Sequence, residues 1–167
     1  MIAGMEANYL RGTPARHDAL FCFEQDFAAA LQCIPMAVRF KLDLAGIKVS
    51  LRQWSCLERE QRETLLRTPC ESLGEVGDYR AHLLEMLTAL SLPIETIALD
   101  AAPAWAIEQM VPEQVVRFAE GAAIAPPTHA QWSRLSVLQR FVLLKLSLAK
   151  HDNVNFVPAL REFGLCP

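Results

Sequence analysis

Two stretches decide the fold of this chain: SLRQWSCLEREQRETLL, from Ser50 to Leu66, and THAQWSRLSVLQRFVLL, from Thr128 to Leu144. They lie 78 residues apart and align without a gap. Chance gives about one identity over such a length, whereas this alignment has eight. The identical positions are Gln53 and Gln131, Trp54 and Trp132, Ser55 and Ser133, Leu57 and Leu135, Gln61 and Gln139, Arg62 and Arg140, Leu65 and Leu143, and Leu66 and Leu144. The repeat predicts two pseudo-equivalent helical units, residues 35–67 and 112–149.

Each copy opens with a capping box. Ser50 and Gln53 are spaced so that each side chain bonds the other residue's backbone amide. Thr128 and Gln131 repeat the spacing in the second copy. Both copies are therefore expected to begin with a well-defined helix.

A further capping box lies inside the second copy. Ser136 and Gln139 have the same spacing, at a place where a kink between two helices is expected. In the first copy Glu58 replaces the serine, which predicts a softer kink there.

Hydrophobic periods of 3.6 residues and proline or glycine boundaries predict most of the remaining structure as helix. The predicted helices cover 23–32, 35–45, 72–90, 112–121 and 156–164. Only 47–51 is a candidate strand, and 91–111 is a proline-containing linker. The expected fold class is therefore all-α, a compact helical domain with internal duplication.

Length and composition predict one domain over residues 21–167, preceded by a loose extension over 1–20. The chain has 167 residues and 52% hydrophobic content, with no apolar run of the ~18 residues that a membrane span needs. The net charge of -3 disfavours nucleic-acid binding, which normally uses a basic face. No secretory signal begins the sequence, so we expect a cytoplasmic protein that contacts neither membrane nor nucleic acid.

The aromatic and arginine side chains of the repeat have two interpretations. Arg62 and Arg140 could grip a carboxylate, a phosphate or a partner, but tying down carbonyls within each copy is favoured because repeats retain their folding residues. Trp54 and Trp132 are expected in the core. Trp105, in the linker, is the better candidate for an exposed aromatic contact, with burial in a packed loop as an equal alternative.

No residue pattern indicates catalysis. His151, Asp152 and Asn153 form the densest polar cluster, which is more typical of a turn than of a metal site. The five cysteines include no C-x-x-C pair and are expected to be free thiols. We therefore predict no catalytic residue, no metal and no cofactor.

Four segments together resemble the conserved nitrate reductase-associated protein family. They are FCFEQDF (21–27), CIPMAVRFKLD with GIK (33–48), LQRFVLLKLS (138–147) and NFVPALREF (155–163). The resemblance covers residues 21–163. It implies association with assimilatory nitrate reductase, a cytosolic molybdoenzyme, and a role in making or keeping that enzyme active. It implies no catalytic residues.

The resulting hypothesis is a non-enzymatic accessory protein that binds nitrate reductase and assists maturation, cofactor insertion or stability. A small thiol- or metal-dependent redox enzyme is the alternative, and a helix-turn-helix regulator is disfavoured by the acidic balance. The partner-binding candidates are polar residues that packing does not explain, together with the linker tryptophan: Arg39, Lys41, Asp43, Trp105, His151, Asp152 and Asn153.

Overall fold

The computed structural model describes residues 20–148 and 154–167. The chain divides into two compact units, Met1–Ala101 and Ala102–Pro167, where the sequence predicts a single domain. The expected extension over 1–20 lies almost wholly outside the described residues. Most of the described chain is helical, as predicted, and the only strands among these residues form one two-stranded sheet.

The first unit is built from short helices and one long helix. A 3-10 turn at Cys22–Glu24 precedes α1 (Gln25–Ala28), α2 (Met36–Ala45), β1 (Ile47–Lys48), α3 (Leu51–Cys56), α4 (Arg59–Arg67), α5 (Leu73–Ala89) and β2 (Glu95–Thr96). Its core contains apolar faces of α2, α3, α4 and α5, with Trp54, Tyr79 and Leu83 fully buried. The apolar stripe predicted over 72–90 is therefore the face by which α5 packs against this core.

The two strands pair antiparallel, with Ile47 opposite Thr96 and Lys48 opposite Glu95. Gly46 makes the turn from α2 into β1 with a φ of 66°, a left-handed value that a residue with a Cβ adopts only at a cost. A Cβ on this glycine would lie 3.1 Å from Leu99 Cδ2 and 3.3 Å from Ile97 O. Gly46 therefore ends the helix as predicted, and its lack of a side chain leaves room for Ile97 and Leu99 to pack against it.

The second unit contains a 3-10 turn at Ala104–Ala106, α6 (Glu113–Gly121), α7 (His129–Arg134), α8 (Val137–Ser147) and α9 (Phe156–Glu162). Its buried side chains include Val115, Trp132, Phe141 and Phe156. The ring centroids of Phe118 and Phe156 lie 4.7 Å apart, so α6 packs against α9 through these two rings. No helix of the described residues is long and apolar enough to cross a membrane.

The two copies of the repeat form the same succession of elements. Helices α3 and α7 each have six residues and a complete capping box. Both end at a leucine in extended conformation, Leu57 with ψ 144° and Leu135 with ψ 146°. Superposition of 35–67 on 112–149 stays a prediction, and residue 149 lies outside the described chain.

The capping box predicted inside the second copy is confirmed. Ser136 N donates to Gln139 Oε1 at 2.9 Å, and Gln139 N donates to Ser136 Oγ at 3.1 Å. Gln139 is therefore a capping residue of α8, and it is only partly buried. The equivalent residue of the first copy is also a glutamine, Gln61, because both residues accept a hydrogen bond from the backbone amide at the start of a helix.

The prediction of a softer kink in the first copy is wrong. Glu58 N still donates to Gln61 Oε1 at 2.8 Å, and Glu58 begins α4 as Ser136 begins α8. The Glu58 side chain makes no capping hydrogen bond, so only the Gln61 half of the box forms, yet Glu58 has the same extended backbone at the break as Ser136, with ψ values of 157° and 159°. The break between the two helices is thus equally sharp in both copies.

The helix predicted over 23–32 is wrong in its second half. Helix α1 ends at Ala28, and Leu31 has a φ of 54°, which no continuing right-handed helix permits. The apolar period there reflects burial of Ala28 and Leu31 in a bent segment. The hydrogen bonds that Trp54 and Arg62 donate to Leu31 O hold this bend, although the local apolar spacing favours a continuing helix.

Replacing Gly46 with alanine should lower the free energy of unfolding by roughly 1 to 3 kcal/mol, because the new Cβ meets both a left-handed φ and a close neighbour. Gly77 is the matched control, since it lies inside α5 with open space around it. Gly77→Ala should raise that free energy by up to about 1 kcal/mol. Urea denaturation measures both, and a neutral Gly46→Ala would contradict the turn geometry.

Candidate partner-binding surface

One backbone oxygen organises the first unit. Leu31 O accepts from Trp54 Nε1 at 2.7 Å and from Arg62 NH1 at 3.0 Å. Both donors belong to the repeat, and both are more than twenty residues away in sequence. Leu31 is buried with a positive φ, a conformation that persists only when its surroundings hold it. The two bonds therefore fix the bend of residues 29–35.

Arg62 also closes the break between α3 and α4. Its Nε donates to Leu57 O (3.0 Å) and its NH2 to Ser55 O (3.1 Å). These carbonyls have no partner further along their own helix, and a cation at a helix C-terminus also interacts favourably with the dipole. Arg62 thus holds carbonyls together within its own copy, the structural role considered from the sequence.

The second copy repeats the arrangement with one chemical difference. Trp132 Nε1 donates to Ile107 O (2.9 Å), and Arg140 donates to Trp105 O (2.9 Å) and Leu135 O (3.2 Å). Arg140 NH2 then reaches Glu108 Oε1 at 3.3 Å. The guanidinium is 1% exposed and the carboxylate 54% exposed, so a surface acid balances a buried cation.

Two further side chains hold residues 29–35 in place. Arg39 Nε donates to Ile34 O (3.2 Å). Glu24, which is buried, accepts from Met36 N (3.0 Å) and Phe21 N (3.1 Å), so its carboxylate lies at the N-terminus of α2 where the helix dipole favours a negative charge. Sequence reasoning missed Glu24, because it acts on an amide twelve residues away and no local spacing marks it.

These contacts define a surface of the first unit that we call the 29–35 surface. It consists of Gln32 and Arg39, which are exposed, Cys33 and Arg62, which are partly exposed, and Ser55, which is exposed. Its backbone is held by the bonds described above, and two of its polar residues, Gln32 and Arg39, are exposed. A preorganised surface of this kind suits recognition of acidic or hydrogen-bond-accepting groups on another protein.

Residues 20–163 match the model of the family described as conserved nitrate reductase-associated protein. The chain belongs to this family. The resemblance stated from four sequence segments is thereby confirmed, and the family's name associates it with nitrate reductase. No curated protein and no solved structure matches the chain.

Of the partner-binding candidates in this nitrate reductase-associated protein, Lys41 is a correction. It is fully buried, and its Nζ donates to Leu66 O and Thr68 O, both at 2.6 Å, at the C-terminus of α4. The same ammonium lies 6.0 Å from the centroid of the Tyr79 ring. Packing therefore explains Lys41, which caps a helix and leaves no charge at the surface.

Trp105 is the second correction, since this candidate for an exposed aromatic contact is 7% exposed, and the alternative of burial is the one observed. Its ring packs edge-on against Phe141 at 6.0 Å, and its carbonyl accepts from Arg140. The 3-10 turn Ala104–Ala106 turns the ring inward, a structure that the aperiodic linker sequence did not reveal.

The remaining candidates are divided between the surface and the part of the chain that lies outside the description. Arg39 is exposed and Asp43 partly exposed, both on α2. His151, Asp152 and Asn153 lie outside the described residues. Arg39 and Arg62 each donate to a carbonyl of residues 29–35, a combination that the sequence did not predict.

The five cysteines are all free of disulfides. Cys22 and Cys56 are exposed, whereas Cys70 is buried beside Lys41 and Tyr79. Burial raises the pKa of Cys70 to about 12, although the ammonium of Lys41 acts in the opposite direction. Burial likewise raises the pKa of Tyr79, whose hydroxyl lacks a hydrogen-bond partner among the described residues. Within residues 20–148 and 154–167, no three His, Cys, Asp or Glu side chains group as metal ligands.

Thiol reactivity at pH 8 should separate these cysteines. Cys22 and Cys56 should react rapidly in the folded protein, and Cys70 should not, because pH 8 lies below its raised pKa and the nucleophile is the thiolate. Five thiols should react in denaturant without reductant. In a Cys70→Ala variant, four thiols should react in denaturant, and the number that react rapidly in the folded protein should not change. Loss of a rapid native thiol in that variant would contradict the burial of Cys70.

Proposed function

We propose that this chain is a non-enzymatic accessory protein of nitrate reductase that binds the enzyme directly and assists its maturation, cofactor insertion or stability. The observation that carries the proposal is the family match over residues 20–163. A role through contact is supported by the 29–35 surface, where exposed Arg39 and Gln32 supply guanidinium and amide donors.

The contact is proposed to lie on the first unit and to include Arg39. Arg39 is exposed, and its one hydrogen bond with a described residue goes to Ile34 O, which leaves most of its N–H donors facing solvent. Asp43 lies one turn further along α2 and belongs to the same proposed contact. His151, Asp152 and Asn153 remain candidates from the sequence.

We also infer that the two copies of the repeat are pseudo-equivalent units that serve as a frame. Helices α3 and α7, and likewise α4 and α8, begin 78 residues apart. In each copy an indole and a guanidinium hold carbonyls of the preceding segment. Duplication of a stable frame explains why the identical tryptophans and arginines bond backbone carbonyls in both copies.

Arg39→Ala should reduce the recovery of nitrate reductase with the affinity-tagged chain from cells grown on nitrate. Folding should change by less than about 1 kcal/mol, because only one hydrogen bond at a partly buried carbonyl is lost. Arg117→Ala is the matched control, since Arg117 holds the corresponding place in the second copy and is exposed on α6 in an ion pair with Glu113. Equal recovery with both variants would place the contact elsewhere.

A deletion strain tests the accessory role itself. Loss of the gene should lower nitrate reductase activity in cells grown on nitrate. Normal enzyme protein with low activity would indicate a role in maturation or cofactor insertion, and low enzyme protein would indicate a role in stability. Full activity and full enzyme protein in the deletion strain would refute the accessory function.

A further inference from the structure

The two repeat arginines differ in how their charge is balanced. Arg140 donates to two carbonyls and to the carboxylate of Glu108. Arg62 donates to three carbonyls and is in no ion pair with a carboxylate of the described residues. A guanidinium that is partly withdrawn from water gains most from a charged acceptor, so the first copy lacks the group that completes the second.

Arg62 retains donors for such a group. A guanidinium has five N–H donors, and the three contacts with described residues engage one N–H on each nitrogen. One further N–H on each terminal nitrogen is therefore uncommitted. The side chain is partly exposed, whereas Arg140 is 1% exposed. An acceptor arriving from solvent has access to Arg62 and not to Arg140.

Gln32 precedes the first copy much as Glu108 precedes the second, although the two lie 76 residues apart and not the 78 of the repeat. Leu31 O accepts a hydrogen bond from Trp54 Nε1, and Gln32 is the next residue after Leu31. Ile107 O accepts one from Trp132 Nε1, and Glu108 is the next residue after Ile107. The two copies differ in one contact, since Arg62 bonds Leu31 O itself while Arg140 bonds the carbonyl two residues before Ile107. Directly after the carbonyl that Arg62 bonds, the chain thus has an amide side chain and not a carboxylate.

We propose that Arg62, with Gln32 beside it, is a binding site for a carboxylate side chain of nitrate reductase. This inference rests on the proposed direct binding. Within the chain, Glu108 supplies a carboxylate to Arg140; an acidic segment of nitrate reductase would supply the carboxylate to Arg62. The planar guanidinium matches a carboxylate, and the Gln32 amide N–H groups can donate to the same oxygen atoms. Arg39, which donates to Ile34 O three residues after Leu31, adds a second positive charge to this segment.

The chain itself favours a carboxylate ligand, because a carboxylate is what the other repeat arginine binds. The net charge of -3 gives no long-range attraction to an acidic partner, so the site must act through local contact. Binding should therefore weaken with added salt only modestly, and the effect of a local charge change should exceed that of ionic strength.

The test places a carboxylate in cis. Gln32→Glu, which keeps the length of the side chain, should occupy the donors of Arg62 and weaken binding to purified nitrate reductase by roughly tenfold or more, the factor typical of losing one hydrogen bond between charged groups. Gln32→Ala, which adds no charge, should weaken binding clearly less than Gln32→Glu does, because the donors of Arg62 stay available to the carboxylate of the enzyme and only the amide contact is lost. Glu108→Gln is the matched control in the second unit and should bind nitrate reductase as tightly as the unaltered chain.

The midpoint of urea denaturation shows whether Gln32→Glu acts as intended. It should equal or exceed that of the unaltered chain, since the new carboxylate pairs with Arg62. Weak binding with an unchanged or raised midpoint supports the inference. Unweakened binding, or weak binding with a lowered midpoint, overturns it and leaves the proposed function standing. Failure of the unaltered chain to bind nitrate reductase overturns both.

Discussion

The carbonyl of Leu31 is the point on which the first unit depends. Two donors from the repeat, Trp54 Nε1 and Arg62 NH1, meet at this one oxygen. Their bonds hold Leu31 in a left-handed conformation, end α1 at Ala28 and direct the chain into α2. A buried carbonyl left without partners costs free energy comparable to a lost hydrogen bond, so the tryptophan and the arginine stabilise the bend together.

The same frame carries different chemistry in its two copies. In the second, Glu108 neutralises Arg140 and the site is closed. In the first, the guanidinium of Arg62 remains partly exposed beside Gln32, and the backbone around it is fixed. A preorganised surface with uncommitted donors loses little entropy on binding, which is the property that the proposed contact with nitrate reductase requires.

Local spacing predicted the elements whose causes are local. The capping boxes at Ser50, Thr128 and Ser136, the end of α2 at Gly46 and the start of α5 after Ser72 all follow from residues within one turn. The features that were wrong depend on distant partners. Lys41 is buried because it caps a helix that ends 26 residues later, and Trp105 is buried because Phe141 receives its ring. The 29–35 surface was invisible for the same reason, since its arginines come from α2 and α4.

Hydrogen exchange of the chain alone and with purified nitrate reductase tests the proposed contact most directly. We predict slower amide exchange in residues 29–39 and 55–62 of the first unit when the enzyme is present, because binding covers the 29–35 surface. The corresponding residues of the second unit, where Glu108 already closes the site, should exchange at unchanged rates. Protection confined to the second unit, or unchanged exchange throughout residues 29–39 with the enzyme bound, would contradict this contact.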